Sequence, residues 1–254
     1  MIGMNKKLPS TRRVLKDQII YHTKQFVRMP RGILSAILVP ILVLLALYFA
    51  GGRSTSSNNL YIVAGAITLG ITLTAYEAYS IGLLSVRDKG VLKRLHGTPL
   101  PLWCYFVGRI IATIFISTLS SVLAIIIARL LYSFNLTPTS IILLFISIVL
   151  GSLTWTLLGT AITGFIKDTG AGQSILTATY LPIVLLSGIF FPISSEPPWM
   201  QTIAKLLPAQ PLAHAIELSI SHGDSLSGIW MNFSVLIIWA VIGFVIAIKS
   251  FRWE

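Results

Sequence analysis

The chain has 254 residues, of which 55% are hydrophobic and only 11% charged, with a net charge of +11 and a mean hydropathy of +0.84. A water-soluble domain of this length carries about a quarter charged residues, so the composition excludes one and points to a lipid-facing core. The basic excess would suggest nucleic acid in a soluble protein; here it fits Lys and Arg held on one side of a membrane beside anionic lipid.

Residues 1–31 carry eight basic side chains (Lys6, Lys7, Arg12, Arg13, Lys16, Lys24, Arg28, Arg31) against one acid, Asp17. Leu15, Ile19, His22 and Phe26 recur on one helical face, which predicts a basic amphipathic helix along the membrane surface rather than a solvated tail. No short apolar segment with a small-residue cleavage site follows promptly, so no cleavable signal peptide is read here.

Six apolar runs follow, at 32–50, 60–84, 103–128, 141–166, 173–193 and 229–248, with Pro40 expected to kink the first and Pro182 inside the fifth. Each meets the roughly 20 residues needed to cross about 30 Å of hydrocarbon. The expected fold is an all-α membrane protein: a six-helix bundle over 32–250, in a single transmembrane domain covering 1–254. With the N-terminus inside, sixteen of the nineteen Lys and Arg residues lie on the inner side and only Arg53, Arg129 and Lys205 outside. Both termini are therefore expected in the cytoplasm.

Between the second and third runs lies a charged island, residues 86–101. Arg87, Asp88, Lys89, Lys93 and Arg94 sit in a pattern that reads as a short helix. Val91, Leu92 and Leu95 fall on one face and Lys89 and Lys93 on the other, with Pro99 and Pro101 as stops. Between the fifth and sixth runs about 35 residues remain. Pro197-Pro198-Trp199, Ile203 and Leu206 up to Pro208, then Leu212, Ala215, Ile216 and Ile220, predict two short amphipathic helices dipping into the outer interface as a cap. No internal repeat or coiled coil is visible.

Glu77 is the acid set at membrane depth, between Tyr76 and Tyr79. A carboxylate there costs about 2.5–3.5 kcal/mol to insert, which makes it a candidate contact for a cationic or polar substrate, or a proton-titrating group. The blander reading pairs it with Arg109, expected at a similar depth, or lets it reach cytoplasmic water; Arg109 and Arg129 are otherwise expected to snorkel. The four histidines (His22, His96, His214, His222) lack ligand spacing, and Cys104 stands alone, so no metal site or disulfide is expected. No Gly-x-Ser-x-Gly elbow, His-Glu-x-x-His or Gly-x-x-x-x-Gly-Lys-Ser/Thr occurs. Gly170-Ala-Gly-Gln-Ser174 lacks the phosphate-holding lysine. The chain is expected not to be an enzyme, and if it uses ATP, another chain must bind it.

Arg87-Asp-Lys-Gly-Val-Leu-Lys-Arg-Leu-His-Gly-Thr-Pro-Leu-Pro-Leu-Trp103 resembles the segment after the second span in type-2 permeases of ATP-binding-cassette exporters, in the drug- and antibiotic-resistance branch. Val91 replaces the usual Thr. Leu186-Ser-Gly-Ile-Phe-Phe-Pro-Ile-Ser-Ser-Glu-Pro-Pro-Trp-Met-Gln201, followed by Leu207-Pro-Ala-Gln-Pro-Leu212, resembles that family's fifth-span exit and outer helices, with Pro208-Ala209 where Asn-Pro is common.

The resemblance implies a homodimer of permeases in the plasma (bacterial inner) membrane, served by two separate ATPase subunits that bind ATP and Mg, this chain holding no cofactor. It implies ATP-driven export of an amphiphilic drug-like, natural-product or lipid-type compound. The segment Arg87, Asp88, Lys89, Val91, Leu92, Lys93, Arg94 and Leu95 would be the element coupled to the ATPase. From ordinary interface anatomy, Val91, Leu92 and Leu95 are expected to fill the ATPase groove and the cations to form its rim. The second and fifth spans would line the pathway, placing Glu77 and Tyr76 beside it and Leu185, Leu186, Phe190 and Phe191 at an apolar gate. The alternative is an ion- or proton-coupled secondary transporter that uses Glu77.

Overall fold

A computed structural model describes residues 10–28, 34–50, 56–97, 101–132, 134–166, 168, 170–189, 197–221 and 226–250. Among them every regular element is helical: α1 (Thr11–Val27), α2 (Val39–Ala50, entered through a π-helical turn at Leu34–Leu38), α3 (Ser56–Ile71), a π-helical segment (Thr72–Ala78), α4 (Tyr79–Asp88), α5 (Val91–His96), α6 (Leu102–Tyr132), α7 (Pro138–Thr163), α8 (Gly172–Leu186), α9 (Pro198–Leu206), α10 (Ala209–Ile220) and α11 (Leu226–Ser250).

Four helical stretches are long and apolar enough to cross a membrane: 60–88, 103–132, 138–163 and 228–250. Two further apolar helices, 36–49 and 172–186, are shorter. The expected fifth run continues to 193, and its last residues lie outside the described ones. Burial ranks the long stretches, since the apolar window of 60–88 is 78% buried and that of 228–250 only 33%. The former is the central post and the latter a wall facing its surroundings. At 29 residues, 60–88 rises about 44 Å at 1.5 Å per residue, more than the roughly 30 Å of hydrocarbon.

Proline chemistry explains the opening of α2. Pro40 has no N–H to give the carbonyl of Ala36, four residues back. The chain makes a π-turn there instead of a simple kink, and the Ser120 hydroxyl of α6 donates to the freed Ala36 carbonyl. The Pro40 ring packs on Gly70, where an added Cβ would stand 2.6 Å from Pro40 Cγ. On the central post, Thr72 and Thr74 donate to the carbonyls of Thr68 (2.9 Å) and Gly70 (2.8 Å) as the backbone widens into the π-segment.

Two expectations about amphipathic helices are corrected. The face of α1 with Leu15, Ile19, His22 and Phe26 turns to α6 rather than simply to lipid. His22 is buried with its ring 4.7 Å from that of Tyr105, and Gly108 admits the Gln18 backbone so closely that a Cβ would lie 2.7 Å from Gln18 Cβ. Likewise the apolar stripe of α10 is covered by protein: Leu212, Ala215, Ile216 and Ile220 are fully buried, and Leu212 fills the space over Gly151 of α7. Only α9 keeps its apolar side outward, with Trp199, Ile203 and Leu206 exposed. In both corrected cases a buried protein surface competes for the same apolar stripe, and small residues opposite (Gly108, Gly151) let the helix close in.

Candidate functional site

Three polar constellations gather near the island end of the bundle. The first is centred on Glu77, in the π-segment. An extra residue in the turn shifts the register of every side chain after it, and here it brings Glu77 toward α8. The Glu77 carboxylate is half-buried and accepts a hydrogen bond from Gln173 Nε2 at 2.6 Å, with the Tyr180 hydroxyl beside it. One residue earlier, Tyr76 is buried, its hydroxyl 2.5 Å from Thr179 Oγ1 and its ring edge-on to Trp155 and Tyr180 at 5.6 and 6.0 Å.

The second constellation removes Arg109 from Glu77. The expected pairing does not form. Arg109 is buried rather than snorkelling, donating Nη2 to the Tyr79 carbonyl (2.9 Å) and Nη1 to the Tyr105 hydroxyl (3.2 Å), with the Tyr79 ring 5.0 Å from the guanidinium carbon. Gly82 makes room for it, since a Cβ there would lie 2.5 Å from Arg109 Nη2. Glu77 and Tyr79, two residues apart on the post, lie on different sides of it, as any two such helix positions do. His22 of α1 lies against this group. Burial first, and the Arg109 charge second, lower its pKa from 6.5 to about 4.

The third constellation is the island. Gly90, at φ +63°, is the left-handed turn that breaks the post and starts α5, a conformation that would cost a side-chain-bearing residue about 1 kcal/mol. The apolar face of α5 is then used internally. Leu92 is 1% exposed and clusters with Val86 and Tyr105, with Val91 and Leu95 packed against them. Leu92, one of the three residues expected to fill a partner's groove, is thus taken up inside this chain, while Val91 and Leu95 stay half-buried. Asp88, Lys89, Lys93 and Arg94 face water instead. Arg87 turns inward to cap α7, donating Nη1 to the Thr163 carbonyl at 3.0 Å and Nη2 to that of Ile166. Between α1 and α5 lies a groove of about 370 Å³ lined by Gln18, Tyr21, Gln25, Lys89, Val91 and Leu95, among others.

Leu185 and Leu186 of the expected gate are exposed on α8, and Phe190 and Phe191 lie outside the described residues.

This architecture meets a family model for ABC-2 type transporters that matches residues 18–222. The chain belongs to that family. This permease is also similar to the probable multidrug ABC transporter permease YbhR of Escherichia coli strain K12, 21% identical over 184 residues, which cover 72% of this chain and 50% of that protein. A second relative, the probable multidrug ABC transporter permease YbhS of the same strain, is 24% identical over 166 residues, covering 65% and 44%. The permease chain thus matches about half the length of these relatives. Its matched region takes in the island, the Glu77 cluster and both short helices 198–206 and 209–220, and ends before α11.

Sequence reasoning missed Gln173 and Tyr180 as neighbours of Glu77, and Thr179 as the partner of Tyr76. The seven-residue spacing of Gln173 and Tyr180 along one face of α8 was visible, but not which helix that face would meet.

Proposed function

We propose that this permease is the membrane half of an ATP-driven exporter of amphiphilic compounds, working as two copies with two separate ATPase subunits that bind ATP and Mg. Both termini and the island lie in the cytoplasm of a plasma or bacterial inner membrane, as the sixteen-to-three distribution of basic residues supports. The observation that carries the reading is the island itself. A short helix anchored by Leu92, and joined to the central post through Gly90 and the Arg87 cap, holds Lys89, Lys93, Arg94 and Asp88 to water. A charged rim on a rigid base can take a push from a partner and pass it to the bundle. The groove against α1 gives that partner a recess. The pathway runs along the face shared by the π-segment and α8, from Glu77, Tyr76 and Gln173 at one end of α8 toward the exposed Leu185 and Leu186 at the other.

Reversal of Lys93 and Arg94 to Glu tests it. Both side chains are exposed, so the variant is expected to reach the membrane with unchanged thermal stability but to lose the co-purifying ATPase and substrate efflux. Retention of both would refute the proposal.

A further inference from the structure

Among the described residues, no cation pairs with the Glu77 carboxylate. It is held by neutral donors, the Gln173 amide at 2.6 Å and the Tyr180 hydroxyl. Arg109 and Arg87 are committed elsewhere, Arg109 to the Tyr79 carbonyl and Tyr105 hydroxyl, Arg87 to the end of α7. Neutral donors orient a carboxylate without cancelling its field. In a lipid-depth setting, where water screens poorly, such a charge attracts a cation far more strongly than it would in solution.

A route leads to it. Gln173, which bonds Glu77, also lines a groove of about 390 Å³ with Ile81, Leu84, Ser85, Asp88 and Lys89. That is the size of a site for a drug-sized molecule. Its inner wall is apolar (Ile81, Leu84), and Tyr180 stands beside the carboxylate with an aromatic face. The groove's own charges, Asp88 and Lys89, are of opposite sign and both exposed, and Glu77 adjoins the groove through its hydrogen bond to Gln173.

We infer that Glu77, oriented by Gln173 and Tyr180, is the recognition point for a lipophilic organic cation, which enters between α4 and α8 and sets its charge on the carboxylate and its apolar body on Ile81 and Leu84. This rests on the pathway reading above and gives it a substrate class.

Tetraphenylphosphonium and tetraphenylborate form a pair of the same size and opposite charge, and they make the test. Binding is measured on the purified full-length permease in nanodiscs without any ATPase, with empty nanodiscs subtracted for partition into lipid. Wild type is expected to bind the phosphonium saturably. Glu77→Gln should weaken that binding about tenfold, and Glu77→Asp should retain most of it. Glu77→Lys should acquire saturable borate binding, a gain that a misfolded variant cannot mimic. Equal phosphonium binding by wild type and Glu77→Gln, or no borate binding by Glu77→Lys, would overturn the inference. Because no ATPase is present, the outcomes separate. Charge selection without ATP-driven efflux would sink the exporter reading alone. Efflux with no charge selection would sink this inference alone.

Discussion

The guanidinium of Arg87 closes the end of α7 by donating to the Thr163 carbonyl at 3.0 Å, and with its other nitrogen to Ile166. The last carbonyls of a helix have no partner in their own turn, and the helix end carries partial negative charge, so a cation there satisfies both. The same contact ties the base of the island to a helix that is remote in sequence. Arg87 is therefore a structural cation, unlike Lys93 and Arg94. Arg87→Ala is expected to destabilise the folded permease by about 2 kcal/mol, with Arg87→Lys intermediate because it can reach only one carbonyl. Thermal melts in detergent would show it. A melt unchanged in Arg87→Ala would mean that the cap contributes nothing.

The Ser120 hydroxyl bonds the Ala36 carbonyl that Pro40 leaves unpaired. Ser120→Ala is expected to cost about 1 kcal/mol in the Pro40 background, as hydrogen bonds between membrane helices do. In a Pro40→Ala background the residue at 40 supplies an N–H for Ala36, and the cost should fall toward zero. A double-mutant cycle reads this coupling directly. The same Ser120→Ala penalty in both backgrounds would disprove it.

His22 makes the docking of α1 dependent on pH. Its folded-state pKa is lowered from 6.5 to about 4 by burial and by Arg109, so an undocked α1 binds the proton more readily than a docked one. Docking is therefore at full strength above pH 6.5, weakens as the pH falls from 6.5 toward 4, and levels off below that. Hydrogen exchange over 11–27 should quicken across that window. His22→Leu, which keeps an apolar body in the same space, should flatten the profile. A profile equally steep in His22→Leu would assign the titration to another group.

Gly108 sets how near α1 can lie to α6, since a Cβ there would meet Gln18 Cβ at 2.7 Å. Neither atom can rotate away, because each is fixed to its backbone. Gly108→Val is expected to lift α1 from the bundle, raising protease sensitivity within residues 11–27, while the melt of the remaining helices changes little. Gln18→Gly should partly restore protection, despite costing about 1 kcal/mol of helix propensity. Absence of that rescue would indicate that the two helices are not held at this point.

Much of the fold was legible before any coordinates, and for one physical reason. In hydrocarbon the backbone must satisfy itself within each segment, so an apolar run of sufficient length has little choice but to be a helix. The runs near 60, 103, 141 and 229 all fall within the long helices, with boundaries shifted by a few residues. The island helix was equally readable, because the apolar set Val91, Leu92 and Leu95 is a local signal. The neighbours were not. Nothing in the spacing of Glu77 and Arg109 distinguishes an ion pair from two side chains on opposite sides of a post. That was settled by packing between segments, which gives the Arg109 guanidinium to the Tyr79 carbonyl and the Glu77 carboxylate to Gln173.

The same division separates the kinds of helix face. An amphipathic pattern states that a stripe will leave water, but lipid and protein are both dry, so the pattern of α1, α5 or α10 could not say which would cover it. Small residues far away in the chain decided it: Gly108 admits Gln18, Gly151 admits Leu212, and Tyr105 and Val86 close over Leu92. Composition and hydrophobic length determine that this chain is a helical membrane protein, because those are properties of each segment alone. Which charges are spent holding the bundle together and which stay available depends on distances between segments. Arg87 and Arg109 are spent; Lys93, Arg94 and Glu77 remain.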